Sequence, residues 1–367
     1  MNLKKVLELL ESDKAPEGLT LRVCLIRVEA VRELADALAK APKGLTLDLR
    51  YNAIRDAGAR YLAHVLGLGK VPEGLTLKLE SNRISDADAN AFADALKSGN
   101  VPKGLTLDLR YNPISNVGAK VLADALGLGK APEGLTLNFK FTNIDHTGVK
   151  HFADALKKSP KGLTLGFQCN PIGDAGAIFL AEALGLGKAP EGLTLNLQST
   201  QISPKGIKAF VDALKSGKFP KGLTLNFRDN PVSDADAIDL AEACAYQNHF
   251  NHKQITLIGI EQSILDEAKK KLIIKIQTVS LSIKHQPQGT LSPEGKAILC
   301  HYLLPRIIFF AIHLEQTEFD QPTKSQKALK SNSRFSLPAS NTLSPATLKR
   351  PNDGDIDEQK DYKILKK

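Results

Sequence analysis

Along most of this chain, short runs in which every second residue is leucine alternate with stretches in which Ala and Leu return every three or four positions. The first kind, LTLDL at residues 45–49, fits a strand with one buried face; the second, with Leu62, Ala63 and Leu66 at helical spacing, fits a helix with one buried stripe. Each unit therefore predicts one strand and one helix. The units open with P-x-G-L-T-L, its proline at Pro16, Pro42, Pro72, Pro102, Pro132, Pro160, Pro190 and Pro220, at spacings of 26, 30, 30, 30, 28, 30 and 30. So regular a period predicts a solenoid of stacked units sharing one core. A degenerate ninth unit aligns at ITLIGIEQSILDEAKKKL, where Ile255, Leu257 and Ile264 take the apolar places and Gly259 and Gln262 stand for the usual Leu and Asn, as in a terminal cap. At the other end, Glu8 and Glu11 interrupt the apolar residues of MNLKKVLELLESDK, so residues 1–15 predict an amphipathic capping helix rather than a secretory leader.

The Asn of LxLxxN recurs as Asn52, Asn82, Asn112, Asn170 and Asn230, with Thr142 and Thr200 in its place in two units. Its side chain is expected to bond backbone groups of the adjoining turn, which makes it a spine rather than a site. On these motifs residues 16–272 resemble the leucine-rich repeat family, specifically its ribonuclease-inhibitor-like class. The resemblance implies an α/β solenoid, a horseshoe with an inner parallel β-sheet and outer α-helices. One departure is systematic: GLTLxLxxN stands where the family has LxxLxLxxN, which touches the start of the strand and not the architecture.

Alternate units differ. The residue after the proline reads Glu17, Lys43, Glu73, Lys103, Glu133, Lys161, Glu191, Lys221, and GLGK, starting at Gly67, Gly127 and Gly185, precedes Glu-type units, so the array reads as serial duplication of a two-unit module. GLGK is no phosphate loop, because it follows a helix and leads into Ala/Val-Pro; its glycines are expected to cap helix C-termini.

Between the buried leucines, side chains on the inner sheet should form ladders. One ladder holds Arg22, Asp48, Lys78, Asp108 and Asn138, then Gly166, Asn196 and Asn226; the next holds Arg50, Glu80, Arg110 and Lys140, then Gln168, Gln198 and Arg228. Tyr51, Tyr111 and Phe141 follow one residue later, so the hexapeptide LDLRYN occurs at residues 47–52 and again at 107–112. Charged and aromatic residues thus crowd the N-terminal half. Tyr and Arg are enriched at binding hot spots, and Asp48, Arg50, Tyr51, Lys78, Glu80, Asp108, Arg110, Tyr111, Lys140, Phe141 and Arg228 are the candidate partner-binding residues. The competing reading is that Asp48 pairs with Arg50 or Lys78 and only keeps the sheet soluble.

Composition sharpens this. In 367 residues there is no Trp and aromatics make up 5%, ordinary for a repeat protein and unusual for an enzyme pocket. The four cysteines lie far apart, with no CxxC pair, which favours a reducing compartment. The net charge of +9 divides into 35 basic against 31 acidic residues up to position 272 and 14 against 9 beyond it, with no basic stripe for nucleic acid. The histidines share no register with Cys or carboxylates, so neither catalysis, nor a metal, nor a cofactor is expected, and a monomer that binds a protein partner is. GTPase activation is known among relatives with this repeat class and stands as an alternative.

Beyond position 272 the repeats stop. An apolar segment spans 273–319, and its stretch AILCHYLLPRIIFFAIHL at 297–314 holds His301, Arg306 and His313, which are costly in a membrane. A helix broken near Pro305 and docked on the C-terminal repeats is expected; a membrane-associated adaptor is the second reading. Residues 320–367 are expected to be a disordered tail. Its end, NDGDIDEQKDYKILKK, sets five acidic residues ahead of Leu365 and resembles the signals of type IV secreted bacterial effectors. That resemblance implies residence in the bacterial cytoplasm before secretion, then in a host cell.

Overall fold

The structure is a computed structural model that describes residues 3–285, apart from 11, 13, 14, 24, 25, 27 and 53. After helix α1 (Leu3–Leu10) come β1 (Thr20–Arg22) with α2 (Val28–Ala37), β2 (Thr46–Asp48) with α3 (Arg55–Gly67), and β3 (Thr76–Lys78) with α4 (Asp86–Ser98). Next are β4 (Thr106–Asp108) with α5 (Asn116–Leu126), β5 (Thr136–Asn138) with α6 (His146–Ala155), and β6 (Thr164–Gly166) with α7 (Gly173–Gly185). The last units are β7 (Thr194–Asn196) with α8 (Pro204–Lys215), β8 (Thr224–Asn226) with α9 (Asp234–Asn251), and β9 (Thr256–Ile258) with α10 (Gln262–His285). The strands form one nine-stranded parallel sheet in chain order. Threonine pairs with threonine throughout, from Thr20 against Thr46 to Thr224 against Thr256, so the degenerate ninth unit sits in the register its sequence predicts.

The core follows the apolar pattern. Leu45, Leu47 and Leu49 are buried with Leu62 and Leu66 of α3, and Val6 and Leu10 of α1 close the N-terminal end. From β5 onward phenylalanine often takes the third apolar place: Phe139 lies 5.5 Å from Phe152 and 5.9 Å from Phe167, and Phe210 lies 5.0 Å from Phe227, ring centre to ring centre. Each such side chain taken from water contributes about 1.5–3 kcal/mol.

The asparagine spine forms as expected and shows what threonine changes. Asn82 Oδ1 accepts from the N–H groups of Asn52 (3.1 Å) and Ile54 (3.2 Å), while its Nδ2 donates to the Leu49 carbonyl at 2.8 Å. Thr142 has no carbonyl to offer the preceding unit, and there the Ile114 N–H turns back to the Asn112 carbonyl at 2.7 Å. The same local turn forms at Ile172, ahead of Thr200, at 2.9 Å. The donor is satisfied either way, which is why threonine is tolerated.

Two features of the turns were not apparent beforehand. The glycine of P-x-G-L-T-L has a left-handed backbone, φ +72° at Gly74, and a Cβ there would stand 3.3 Å from Gly44 Cα, so the departure from the family pattern meets a steric need. The GLGK glycines close the helices in two ways: Gly127 is the C-cap of α5 with right-handed φ −62° and Gly67 is the last residue of α3, while the left-handed residues past the helix ends are Gly69, Gly129 and Gly187. The alternation of Lys and Glu forms a row of exposed ion pairs, Lys43–Glu73 at 3.2 Å, Lys103–Glu133 at 2.7 Å and Lys161–Glu191 at 3.1 Å, each contributing little to stability.

Helix α10 runs past position 272 to His285 and is tied to α9 by Lys275 and Glu242 at 2.9 Å. Ile260 is half-buried against the core, while Ile258 remains open. The 297–314 segment and the 320–367 tail lie outside the described residues.

Candidate functional site

Strands β2–β5 bring ten of the eleven candidate residues together. Asp48, Lys78 and Asp108 are paired laterally across β2, β3 and β4. Beyond each strand the parallel ladder continues, with the Tyr51 N–H on the Glu80 carbonyl and the Tyr111 N–H on the Lys140 carbonyl, both at 3.0 Å. Arg228 follows β8, four strands from β4 or roughly 20 Å at about 4.8 Å per strand, and faces Asp229 at 4.0 Å, so it stands apart from the rest.

The carboxylates are not on display. Asp48, Glu80 and Asp108 are only 5%, 5% and 7% exposed, because the two arginines fold over them. Arg50 grips Asp48 with two bonds, Nε to Oδ1 at 2.9 Å and Nη2 to Oδ2 at 2.8 Å, and reaches Glu80 at 3.9 Å. Arg110 binds Asp108 at 2.8 Å and Glu80 at 3.0 Å, and the Tyr51 hydroxyl donates to Glu80 at 3.0 Å. The hydrogen bond from Arg50 holds Asp48 below the usual carboxylate range. Arg50 is raised in turn by that bond; for Arg110 burial works against the charge but is outweighed by Asp108 and Glu80. Arg110 is therefore not freely exposed: its side chain is 27% exposed and closes a network.

Asp48 forms the ion pair with Arg50, as the solubility reading expects, and not with Lys78. Half-buried Lys78 lies between two carboxylates and forms no ion pair among the described residues, since both arginines already hold its neighbours.

Aromatic side chains border this network. Tyr51 is 63% exposed at φ +60°. Tyr111, at φ +53°, stacks on Phe141, also at +53°, with ring centres 4.6 Å apart and planes 22° apart, and the Lys140 ammonium lies 5.2 Å from the Phe141 ring centre. A left-handed backbone is an outlier for so bulky a residue. Other units put Ser81, Cys169, Ser199 and Asp229 in the same left-handed place, and in the ninth unit the left-handed residue is Gly259, two residues earlier. Sequence reasoning found the aromatic row but missed its backbone; the small and polar residues at the equivalent places were the available signal.

A further role hides in the first ladder. Asp48 Oδ1 accepts the Arg50 N–H at 3.2 Å, and Asn138, Asn196 and Asn226 accept from Lys140, Gln198 and Arg228 at 3.1, 3.2 and 3.0 Å. Where this oxygen is used it need not carry a charge, and Lys78 and Gly166 at the same place show that the turn also forms without it.

His64 and His151 lie on helices α3 and α6, away from the sheet. Among the described residues no group of three His, Cys, Asp or Glu is placed to hold a metal, and no helix is long and apolar enough to cross a membrane.

Comparison with known proteins agrees with this geometry. Residues 45–63, 105–123, 163–181 and 193–211 match a family described as Leucine Rich repeat, each match starting at the buried leucine before a strand and ending within the following helix. No curated protein matches the chain. With nine such strands in one parallel sheet alternating with helices, the protein is an α/β leucine-rich repeat solenoid, an architecture that supports a protein–protein interaction scaffold.

Proposed function

We propose that the face over β2–β5 docks a protein partner, and that the protein does so as a secreted bacterial effector acting on a host protein without catalysing a reaction. The observation that carries the docking reading is the aromatic row. Tyr51, Tyr111 and Phe141 occupy left-handed positions where a side chain raises the backbone energy by about 1–2 kcal/mol. Four other units place smaller side chains at that position. The left-handed turn recurs in every unit from β2 to β8, so what sets this patch apart is that large rings occupy it. Large rigid rings beside half-exposed guanidinium groups supply contact area and directional bonds together. The effector part rests on the acidic run before Leu365 in the sequence.

The test replaces Tyr51 and Tyr111 by Asn, which tolerates a left-handed backbone, so that folding is preserved or improved. Proteins captured from host cytosol by the wild type should be lost by the Tyr51→Asn/Tyr111→Asn protein at unchanged melting temperature. Retention of every captured protein by that variant would refute the docking reading.

A further inference from the structure

We infer that the docking face recognises an acidic, extended segment of its partner, with Lys78 as the residue that receives the partner's carboxylate. The inference rests on the docking reading above and specifies its chemistry. Along the two ladders of β1–β5, five cations stand against three carboxylates. Those three carboxylates are buried under Arg50 and Arg110, so a partner approaching the sheet meets the cationic groups first.

The two extra cations are Arg22 and Lys140 at the edges of the patch; Lys78 differs from the other cations of β2–β4 in forming no ion pair among the described residues. It occupies the middle strand of the patch, with Asp48 and Asp108 as its lateral neighbours in register. Either could have neutralised it, but Asp48 holds Arg50 with two bonds and Asp108 holds Arg110 at 2.8 Å. Lys78 is half-buried in the sheet face and forms no ion pair among the described residues, so a carboxylate arriving there finds a cation that no internal carboxylate holds. The flanking aromatic rings supply an apolar border that keeps water from the new ion pair, the arrangement found around binding hot spots. Since the neighbouring carboxylates are already engaged, an acidic ligand does not have to break an internal pair before it binds.

The test uses a fluorescein-labelled peptide of alternating Glu and Ser, about eight residues long, enough to cross four strands at about 3.3 Å per residue against about 4.8 Å per strand. Fluorescence anisotropy with the full chain should show binding that weakens as salt rises from about 50 to about 500 mM, and no binding of the matching Lys-Ser peptide. Lys78→Gln should weaken binding about tenfold, Lys78→Arg should stay within about threefold of wild type, and Lys208→Gln on the helical side should match wild type. Equal affinity of the Lys78→Gln and wild-type proteins, or equal binding of the two peptides, would overturn the inference. If that occurs while Tyr51→Asn/Tyr111→Asn still loses its captured partner, the docking reading survives without its acidic specificity. If the double variant captures everything the wild type does, the docking reading itself falls.

Discussion

Strands β2–β5 and β6–β8 are built on the same frame and carry different side chains. Both halves bury three apolar residues per unit, pair threonine with threonine, and in all units but those of Lys78 and Gly166 cap the turn with an aspartate or asparagine oxygen. In the first half that oxygen belongs to Asp48 and Asp108, locked under Arg50 and Arg110, and to Asn138; in the second it belongs to Asn196 and Asn226, with the neutral Gln198 donating to Asp229 at 2.7 Å. The second half shows that the solenoid closes without the ionic network. Buried ion pairs are in any case poor stabilisers against neutral groups of similar shape. The network and the strained aromatic row beside it are therefore features the fold does not demand, and that contrast supports a role in recognition.

The shared frame gives the largest expected effects. Leu109→Ala in the first half and Leu197→Ala in the second, both fully buried, should each lower stability by about 2–5 kcal/mol in denaturant unfolding. A large loss in one half alone would show that the frames are not equivalent. The next effect separates the halves: Arg110→Ala leaves buried Asp108 without its arginine and Glu80 with only Tyr51 and the more distant Arg50, and should lower stability by about 1–3 kcal/mol, whereas Gln198→Ala should change it by under about 0.5 kcal/mol.

Acid sharpens the comparison with a smaller effect. The folded-state pKa of Asp48 lies below its ordinary value of 3.8, so its contribution is complete above that value and is lost as pH falls through the folded pKa. Asp48→Asn should flatten the fall of stability on acidification. Asn196→Asp, which adds a carboxylate with no arginine beside it, should not introduce an Asp48-like gain at neutral pH. The smallest effect concerns cysteine chemistry: burial pushes the Cys244 thiol up to about 12, and mass-spectrometric mapping should find it alkylated far more slowly than half-exposed Cys169.

What could be read in the sequence was whatever repeats. Leucine spacing located strand and helix in every unit, and even the degenerate ninth unit was aligned through Ile255 and Leu257. The eleven candidate residues were found as ladders for the same reason, and all but Arg228 fall on one patch. Burial of Asp48 and Glu80 was not legible, because it depends on which of two cations bends over a carboxylate, and ladder position alone leaves Arg50 and Lys78 equivalent. The links between helices were also hidden. Asp86 in the first turn of α4 accepts from the Ser115 and Gly118 N–H groups at 2.7 and 3.0 Å, and a Cβ on Gly118 would stand 2.5 Å from its Oδ1. That glycine looks like an ordinary helix residue until the aspartate of the preceding unit is placed against it.

The central claim is that the first half's charges serve recognition and not folding, and exchanging them for the second half's chemistry tests it most directly. The measurement is partner capture by a folded Asp48→Asn/Arg50→Gln/Glu80→Gln/Asp108→Asn/Arg110→Gln protein, which keeps every oxygen that caps a turn. The account predicts stability within roughly 1 kcal/mol of wild type, as expected when a buried ionic network gives way to neutral groups of similar shape, together with loss of the partner that the wild type captures. A protein that unfolds, or one that folds and still captures that partner, would contradict it.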